Sequence, residues 1–130
     1  MEIVRQAIEA YNGRDWDRCM AFYAPDYVFD ATNRGFGVFE GRALGRRVAE
    51  AWVRTFDEFE IDSREVSDLG RGVILTVQLT RGRPPGTTSY VENWEAFVVV
   101  VEDGRIVRTT NYSDIDEARA AAERLAQERG

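Results

Sequence analysis

Residues 89–112 read SYVENWEAFVVVVEDGRIVRTTNY, and this stretch is the clearest β-hairpin in the chain. Residues 89–101 and 105–112 are rich in β-branched and aromatic side chains, which favour strands. Asp103-Gly104 lies between them, and Asp-Gly is a strong signal for a tight hairpin turn. We therefore predict two antiparallel strands here, joined at this dipeptide.

The segment upstream of the hairpin predicts two more strands. Residues 58–68 and 73–81 are separated by Leu69-Gly70-Arg71-Gly72, which is a turn sequence. Along residues 73–81, apolar and polar side chains alternate, so that each type occupies one face of the strand. The apolar row is Val73, Leu75, Val77 and Leu79, and the polar row is Thr76, Gln78 and Thr80.

Helical periodicity is confined to the two ends of the chain and to one central segment. The predicted helices cover residues 3–11, 15–23, 42–56 and about 113–127. Asp15 is the expected N-cap of the second helix, and Ala24-Pro25 is its expected stop. A short strand over residues 27–32 and a glycine-rich loop over 33–41 follow it. Because helices and strands are segregated, we predict one α+β domain over residues 1–130.

Charge and hydropathy argue against nucleic-acid and membrane partners. The chain has 17 basic residues, all Arg, and 23 acidic ones, and its net charge is -6. A negative surface repels phosphate backbones and anionic lipids, and the Arg residues form no stripe. The longest apolar run, residues 96–101, is too short to cross a bilayer, and the first residues lack a signal-peptide pattern. We therefore expect a cytoplasmic protein.

The absence of histidine restricts the possible chemistry. Without an imidazole, a nucleophilic triad is excluded, and we do not expect a typical zinc site. The single cysteine, Cys19, lies among apolar neighbours and is interpreted as a small buried hydrophobe. Acid–base catalysis would have to use Asp, Glu, Tyr or water, and we expect no metal and no cofactor.

Four segments of the chain, in order, resemble the landmarks of SnoaL-like proteins. They are residues 14–30 (RDWDRCMAFYAPDYVFD), Phe39-Glu40-Gly41-Arg42, Asp68-Leu69-Gly70 and residues 103–114 (DGRIVRTTNYSD). SnoaL-like proteins are part of the nuclear transport factor 2-like superfamily, and the resemblance covers nearly the whole chain. It implies a cone: a strongly curved antiparallel sheet, with N-terminal helices and a C-terminal helix that enclose a pocket. It also implies a homodimer, commonly formed through the sheet.

The resemblance implies a pocket rather than a reaction. The superfamily includes ketosteroid isomerases, polyketide cyclases, epoxide hydrolases, dehydratases and non-enzymatic binders, so the fold alone does not identify the chemistry. The expected ligand is a small apolar organic molecule, polyketide- or steroid-like.

The catalytic residues of these relatives do not carry over to this sequence. The Asp base and the Tyr of the ketosteroid isomerases fall on Ala31 and Ala7. Asp30 is one position away, and an offset of one turns a strand side chain to the other face. The Asp–Arg–Asp set of the epoxide hydrolases has no counterpart in residues 89–101, and the His of the cyclases is missing. Of the reaction types that the resemblance implies, acid–base chemistry by a carboxylate and water remains possible.

Candidate pocket residues come from the last two strands and from the aromatic side chains. The register implied by the resemblance points Thr109, Asn111 and Ser113 inward. On the neighbouring strand, an inward Phe97 brings Asn93 and Glu95 to the same face. The opposite register would turn Glu92 and Trp94 to the pocket instead. The expected apolar wall is Tyr27, Phe29, Trp52 and Phe56.

Glu95 is the first candidate for a catalytic carboxylate, and Asp30 is the second. Burial in an apolar pocket would raise the pKa of either group toward neutrality, which suits a general base. Structural roles stay open for both: Asp30 faces solvent or caps the following loop, and Glu95 is exposed or pairs with an Arg such as Arg108. The function also stays open between two classes. One is an isomerase, cyclase or hydrolase, and the other is a non-catalytic dimeric interaction or ligand-carrier module.

Overall fold

The computed structural model describes residues 2–130, which form an α+β fold. The α-helices are α1 (Glu2–Asn12), α2 (Trp16–Met20), α3 (Arg42–Arg54) and α4 (Ile115–Glu128). The strands are β1 (Tyr23–Asp30), β2 (Val38–Glu40), β3 (Glu58–Asp68), β4 (Val73–Arg83), β5 (Val91–Glu102) and β6 (Arg105–Tyr112). A 3₁₀ turn, Thr32–Arg34, connects β1 to β2.

The strands form one curled sheet in the order β2-β1-β6-β5-β4-β3. β3 to β6 are an antiparallel meander, as the hairpin signals predict, whereas β1 runs parallel to β6. These two strands lie far apart in sequence, so no hairpin turn obliges them to run in opposite directions. The predicted fold class is confirmed, with one parallel pair in the sheet.

Irregular pairing bends the sheet into its cupped form. The register of β3 against β4 shifts between Ser63 and Glu65, and that of β5 against β6 shifts between Val100 and Val101. An extra residue in one strand increases the local twist and bends the strand. One face of the sheet is therefore concave, and α1, α2 and α3 lie over it.

The start of β1 differs from the sequence prediction. α2 ends at Met20 and β1 begins at Tyr23, so the segment Ala24-Pro25 lies inside a strand instead of ending a helix. Proline has no N–H to donate, and it is tolerated here because the pairing of β1 with β6 is interrupted between Tyr23 and Val28. The short strand β2 lies in the predicted loop over 33–41; three residues flanked by glycines give no strand signal.

The C-terminal helix α4 packs on the convex face of the sheet, so the prediction that it helps to enclose the pocket is wrong. Its buried residues Ala118, Ala122 and Ala126 recur every four positions and form one small-residue stripe. This stripe contacts the apolar row of β4 together with Ala96 and Val98 of β5. Small side chains let the helix lie close to the sheet, and this contact forms a hydrophobic cluster separate from the one that α1 forms with the sheet.

The two faces of β4 therefore have different neighbours. Its apolar row faces α4, and its polar row of Thr76, Gln78 and Thr80 faces the concave side, where all three side chains are buried. An amphipathic strand usually turns its polar row to water. Here that row faces the helices α1–α3 instead. None of the helices in residues 2–130 is long and apolar enough to cross a membrane.

We expect Ala122→Leu to destabilise the protein. Ala122 has no exposed surface between α4 and the sheet, and overpacking such a contact costs about 1–3 kcal/mol of unfolding free energy. Urea denaturation followed by circular dichroism measures the change. The matched control is Ala120→Leu, which places the same side chain at an exposed position of α4 and should stay within about 0.5 kcal/mol of the parent. Equal stabilities of the two variants would contradict the packing described for α4.

Candidate functional site

A cavity of about 280 Å³ lies between the concave face of the sheet and the helices α1, α2 and α3. Nine aromatic rings contribute to its wall, and they come from helices, strands and one loop. They are Tyr11, Tyr23, Tyr27, Phe29, Phe36, Phe39, Trp52, Phe59 and Phe97. Phe36 and Trp52 are 60% and 47% exposed, so they mark the mouth of the cavity. A mostly apolar hollow of this size is typical of a small-molecule site.

Gly45 lets α3 lie close to the Tyr27 ring of β1. A Cβ atom at this position would lie 3.2 Å from the Tyr27 ring, which is a tight contact. Tyr27 is itself buried and stacks edge-on against Tyr23, with 4.6 Å between the ring centroids. The absence of a side chain at Gly45 thus lets α3 lie directly over the two tyrosines.

Polar side chains collect at one end of the cavity because of the register of three neighbouring strands. Gln78 of β4 lies opposite Glu95 of β5, and Phe97 of β5 lies opposite Asn111 of β6. Alternate strand residues share a face, so Thr80 and Thr109 join this group on the concave side. The result is a polar end in an otherwise apolar hollow.

Glu95 is the carboxylate of the polar end. Its side chain is 13% exposed, and its Oε2 lies 3.7 Å from Nη1 of Arg34. Thr80 Oγ1 lies 3.2 Å from Glu95 Oε1 and also 3.2 Å from the backbone oxygen of Asn93. Burial raises the pKa of Glu95, while the charge of Arg34 and hydrogen bonds from Thr80 and Asn111 act in the opposite direction. Glu95 therefore holds its proton to a higher pH than a solvated glutamate does.

Arg34 reaches the cavity from the 3₁₀ turn, and Asp30 holds that turn. The backbone N and the hydroxyl of Thr32 donate to Asp30 Oδ1 at 3.0 and 2.7 Å. Arg108 pairs with Asp30 Oδ2 at 2.8 Å. The hydrogen bonds from Thr32, followed by the Arg108 charge, lower the pKa of Asp30. Asp30 lies outside the cavity wall and caps the following loop, which is one of the two structural roles that the sequence left open.

The structure brings most of the predicted pocket residues to the cavity. Those that line it are Tyr27, Phe29, Trp52, Glu95, Phe97, Thr109 and Asn111. Asp30, Phe56 and Asn93 are not part of the wall. The Phe56 ring packs outside it, against Gly82 and Trp52. Asn93 and Ser113 are exposed.

The open question of the β5 register is settled by the burial pattern. Glu95 and Phe97 line the cavity, whereas Trp94 is 49% exposed on the other face. Glu92 lies on that outer face as well and pairs with Arg81 at 3.5 Å. Glu95 pairs with Arg34. Arg108, which the sequence analysis named as a possible partner of Glu95, pairs with Asp30 instead.

Several cavity residues were not predicted from the sequence. Thr76, Gln78 and Thr80 were visible as a polar row, but alternation alone does not show which face a helix covers. Arg34 lies in a glycine-rich loop, and no periodicity there signals that it turns inward. Tyr11 and Tyr23 looked like ordinary core residues of a helix and of a helix end.

The other ionisable groups of the cavity are neutral near pH 7. Burial raises the pKa of the Tyr11, Tyr23 and Tyr27 hydroxyls. Burial also raises the pKa of the Cys19 thiol to about 11, and Cys19 Sγ donates to the Ala7 backbone oxygen at 3.6 Å. A protonated thiol is a poor nucleophile. Glu95 and Arg34 are the remaining ionisable groups of the cavity wall.

Two alanines occupy the positions where the resemblance expects the isomerase residues. Ala7 and Ala31 are both buried and both line the cavity. The wall is therefore apolar where a ketosteroid isomerase would have its Tyr and its Asp. Among residues 2–130, no group of three or more His, Cys, Asp or Glu side chains is arranged to hold a metal ion.

Glu95 should titrate above the usual range of a glutamate, and Arg34→Gln should raise its pKa further. The reason is that the Arg34 charge is the largest of the contributions that lower the pKa. Carboxyl ¹³C chemical shifts followed by NMR over pH measure both values. The Arg124→Gln variant, which removes an exposed guanidinium on α4, should leave the Glu95 titration unchanged. A normal or lowered pKa for Glu95 in the parent protein would contradict the burial described here.

Comparison with known proteins gives a match to one family. The family model described as SnoaL-like domain matches residues 4–109. No curated protein matches the chain.

Solved structures with the same fold are similar over almost the whole chain. One is a hypothetical protein from Catenulispora acidiphila with a ketosteroid isomerase-like fold, in complex with trimethylamine. It is 12% identical to this chain, and the match covers 93% of this chain and 92% of that one, with a TM-score of 0.76. TerC, co-crystallised with polyporic acid, is 12% identical, with 94% and 96% coverage and a TM-score of 0.75. An epoxide hydrolase of the LEH-like type from M. tuberculosis is 20% identical, with 95% and 88% coverage and a TM-score of 0.72. At these identities the similarity establishes the fold.

Proposed function

The chain belongs to the family of SnoaL-like domains, and from that membership we propose that it binds a small, mostly apolar organic molecule in the cavity between the sheet and α1–α3. The observation that carries the proposal is the hollow of about 280 Å³, with aromatic walls and one polar end. Binding there would bury the apolar body of the ligand and orient its polar group toward Glu95.

The size of the cavity restricts the ligand. An apolar cavity of about 150 Å³ accepts benzene, so a hollow of about 280 Å³ accommodates roughly two fused rings. A steroid-like or long polyketide-like molecule would have to extend through the mouth between Phe36 and Trp52. We therefore favour a ligand of bicyclic size over the larger molecules expected from the sequence.

If the bound molecule reacts, Glu95 is the proposed proton-transfer group. Its raised pKa lies closer to neutral pH than that of a solvated glutamate, which suits a group that accepts and returns a proton. The alternative is a non-catalytic ligand carrier. Ala7 and Ala31 at the two isomerase positions favour this alternative, because they remove a second proton-transfer group from the wall. A cytoplasmic location stays a prediction.

Binding of bicyclic aromatic compounds should raise the melting temperature. A ligand present at about 100 times its Kd stabilises the native state by about 2.7 kcal/mol. A thermal-shift assay with a panel of naphthols and indoles measures the resulting rise in melting temperature. Ala49→Phe fills the cavity from α3 and should abolish the shift. The control, Ala43→Phe, adds the same ring at an exposed position of α3 and should retain it. No shift with any compound, or the same shift in Ala49→Phe, would contradict the proposal.

We also propose that the chain forms a homodimer through the part of the convex sheet face that α4 leaves uncovered. Trp94 and Tyr90 are about half exposed there. The Arg64 guanidinium lies 5.4 Å from the Trp94 ring centroid, and the Arg81 guanidinium lies 4.4 Å from that of Tyr90. Trp, Tyr and Arg are enriched at protein interfaces. A two-fold interface needs a self-complementary patch, and this one also carries Glu92 beside its arginines.

Light scattering coupled to size exclusion tests the dimer. We expect twice the 14.8 kDa mass of the chain, and Trp94→Glu should give a monomer because a buried unpaired charge is costly at an interface. The control is Val38→Glu, which changes an exposed residue of β2 at the other edge of the sheet and should leave the dimer intact. A monomeric parent protein, or a dimeric Trp94→Glu variant, would contradict the proposed interface.

A further inference from the structure

Arg34 has unused hydrogen-bonding capacity at the polar end of the cavity. It is the one cationic residue of the wall among residues 2–130, and its side chain is about three-quarters buried. Its contact with Glu95 is a single approach at 3.7 Å, which is longer than a hydrogen bond. By contrast, Arg119 makes two hydrogen bonds of 2.8 Å to Glu65. Buried guanidinium groups ordinarily adopt this forked arrangement.

Asn111, in contrast, has a hydrogen-bond acceptor that lacks a donor. It is 9% exposed and lines the cavity, and its Oδ1 atom is buried without a hydrogen-bond partner. A buried acceptor without a donor is costly. Asn111 and Glu95 lie diagonally across β5 and β6, and the nearby Asn111 amide is one of the groups that lower the pKa of Glu95. The polar end thus has donors without acceptors on Arg34 and an acceptor without a donor on Asn111.

We propose, on the basis of the proposed function, that the ligand is an organic carboxylate and that it takes Arg34 away from Glu95. The ligand carboxylate accepts the forked hydrogen bonds of Arg34. Glu95, left without its cation, takes up one proton from solvent. After the Asn111 amide turns by half a rotation, the new Glu95 hydroxyl donates to Asn111 Oδ1. Arg34 then has an acceptor, and Asn111 Oδ1 has a donor.

Charge balance supports this exchange. When Glu95 is ionised in the free protein, its charge and that of Arg34 cancel, and the nearby Tyr11, Tyr23, Tyr27 and Cys19 are uncharged. A carboxylate that entered without a proton would leave two anions beside one guanidinium in an apolar hollow. Such a site is unfavourable, and proton uptake by Glu95 restores neutrality. The single planar guanidinium of Arg34, with its one positive charge, matches a carboxylate better than a dianion.

The test uses a matched pair of bicyclic probes, 2-naphthoate and 2-naphthamide. Isothermal titration calorimetry in phosphate and in Tris, at a pH above the Glu95 pKa measured by NMR, separates the heat of binding from that of protonation. We expect naphthoate to bind more tightly than the amide and to take up about one proton per molecule bound. The amide should bind without proton uptake.

Variants separate the roles of the two charged residues. Arg34→Gln should weaken naphthoate binding about tenfold or more and change amide binding little. Glu95→Gln should bind naphthoate without proton uptake. Arg124→Gln, which removes an exposed guanidinium on α4, should behave like the parent.

The outcomes distinguish this inference from the proposed function. Binding of the amide with no preference for naphthoate, or naphthoate binding that is insensitive to Arg34→Gln, overturns carboxylate recognition and leaves the cavity as a binding site. Proton uptake that persists in Glu95→Gln overturns the exchange of partners. If neither probe binds, both the inference and the proposed cavity ligand are wrong.

Discussion

The contact between α4 and the convex face of the sheet is the interaction on which the rest of the structure depends. The stripe of Ala118, Ala122 and Ala126 packs on the apolar rows of β4 and β5, and these side chains form a core without help from the other helices. Burial of apolar surface is the main stabilising contribution in a domain of this size. Because this core lies on one side of the sheet, the opposite side can stay hollow without loss of the fold.

The hollow side carries groups that a protein core normally avoids. Thr76, Gln78 and Thr80 are buried there, together with a carboxylate and an unpaired amide oxygen. Buried polar groups destabilise a protein unless they are hydrogen-bonded, and each exception calls for an explanation. Thr80 meets this condition through the Asn93 backbone oxygen and Glu95, and the exception is the buried Asn111 Oδ1, which a site completed by a ligand would explain. The pocket is thus a region of incomplete polar pairing, supported by a well-packed region behind it.

The sequence allowed the strands, the hairpin and most of the aromatic wall to be predicted. β3 and β6 begin and end where the local patterns place them, because turn residues and β-branched side chains act over short distances. The side of the sheet that α4 covers could not be predicted, since alternation in β4 identifies two faces but not their neighbours. Arg34 was missed for a related reason. Its direction depends on the Asp30–Thr32 turn and on a Glu95 side chain that is distant in sequence.

The most direct measurement of the central claim, an open cavity on the concave face, is a crystal structure determined under xenon pressure. Xenon enters dry apolar cavities without needing any specific polar contact. The account predicts a xenon atom between α1, α3 and the concave face, in contact with rings such as Tyr27 and Phe97. A structure in which α3 contacts the sheet directly, with Trp52 packed into the hollow and no xenon bound there, would contradict it.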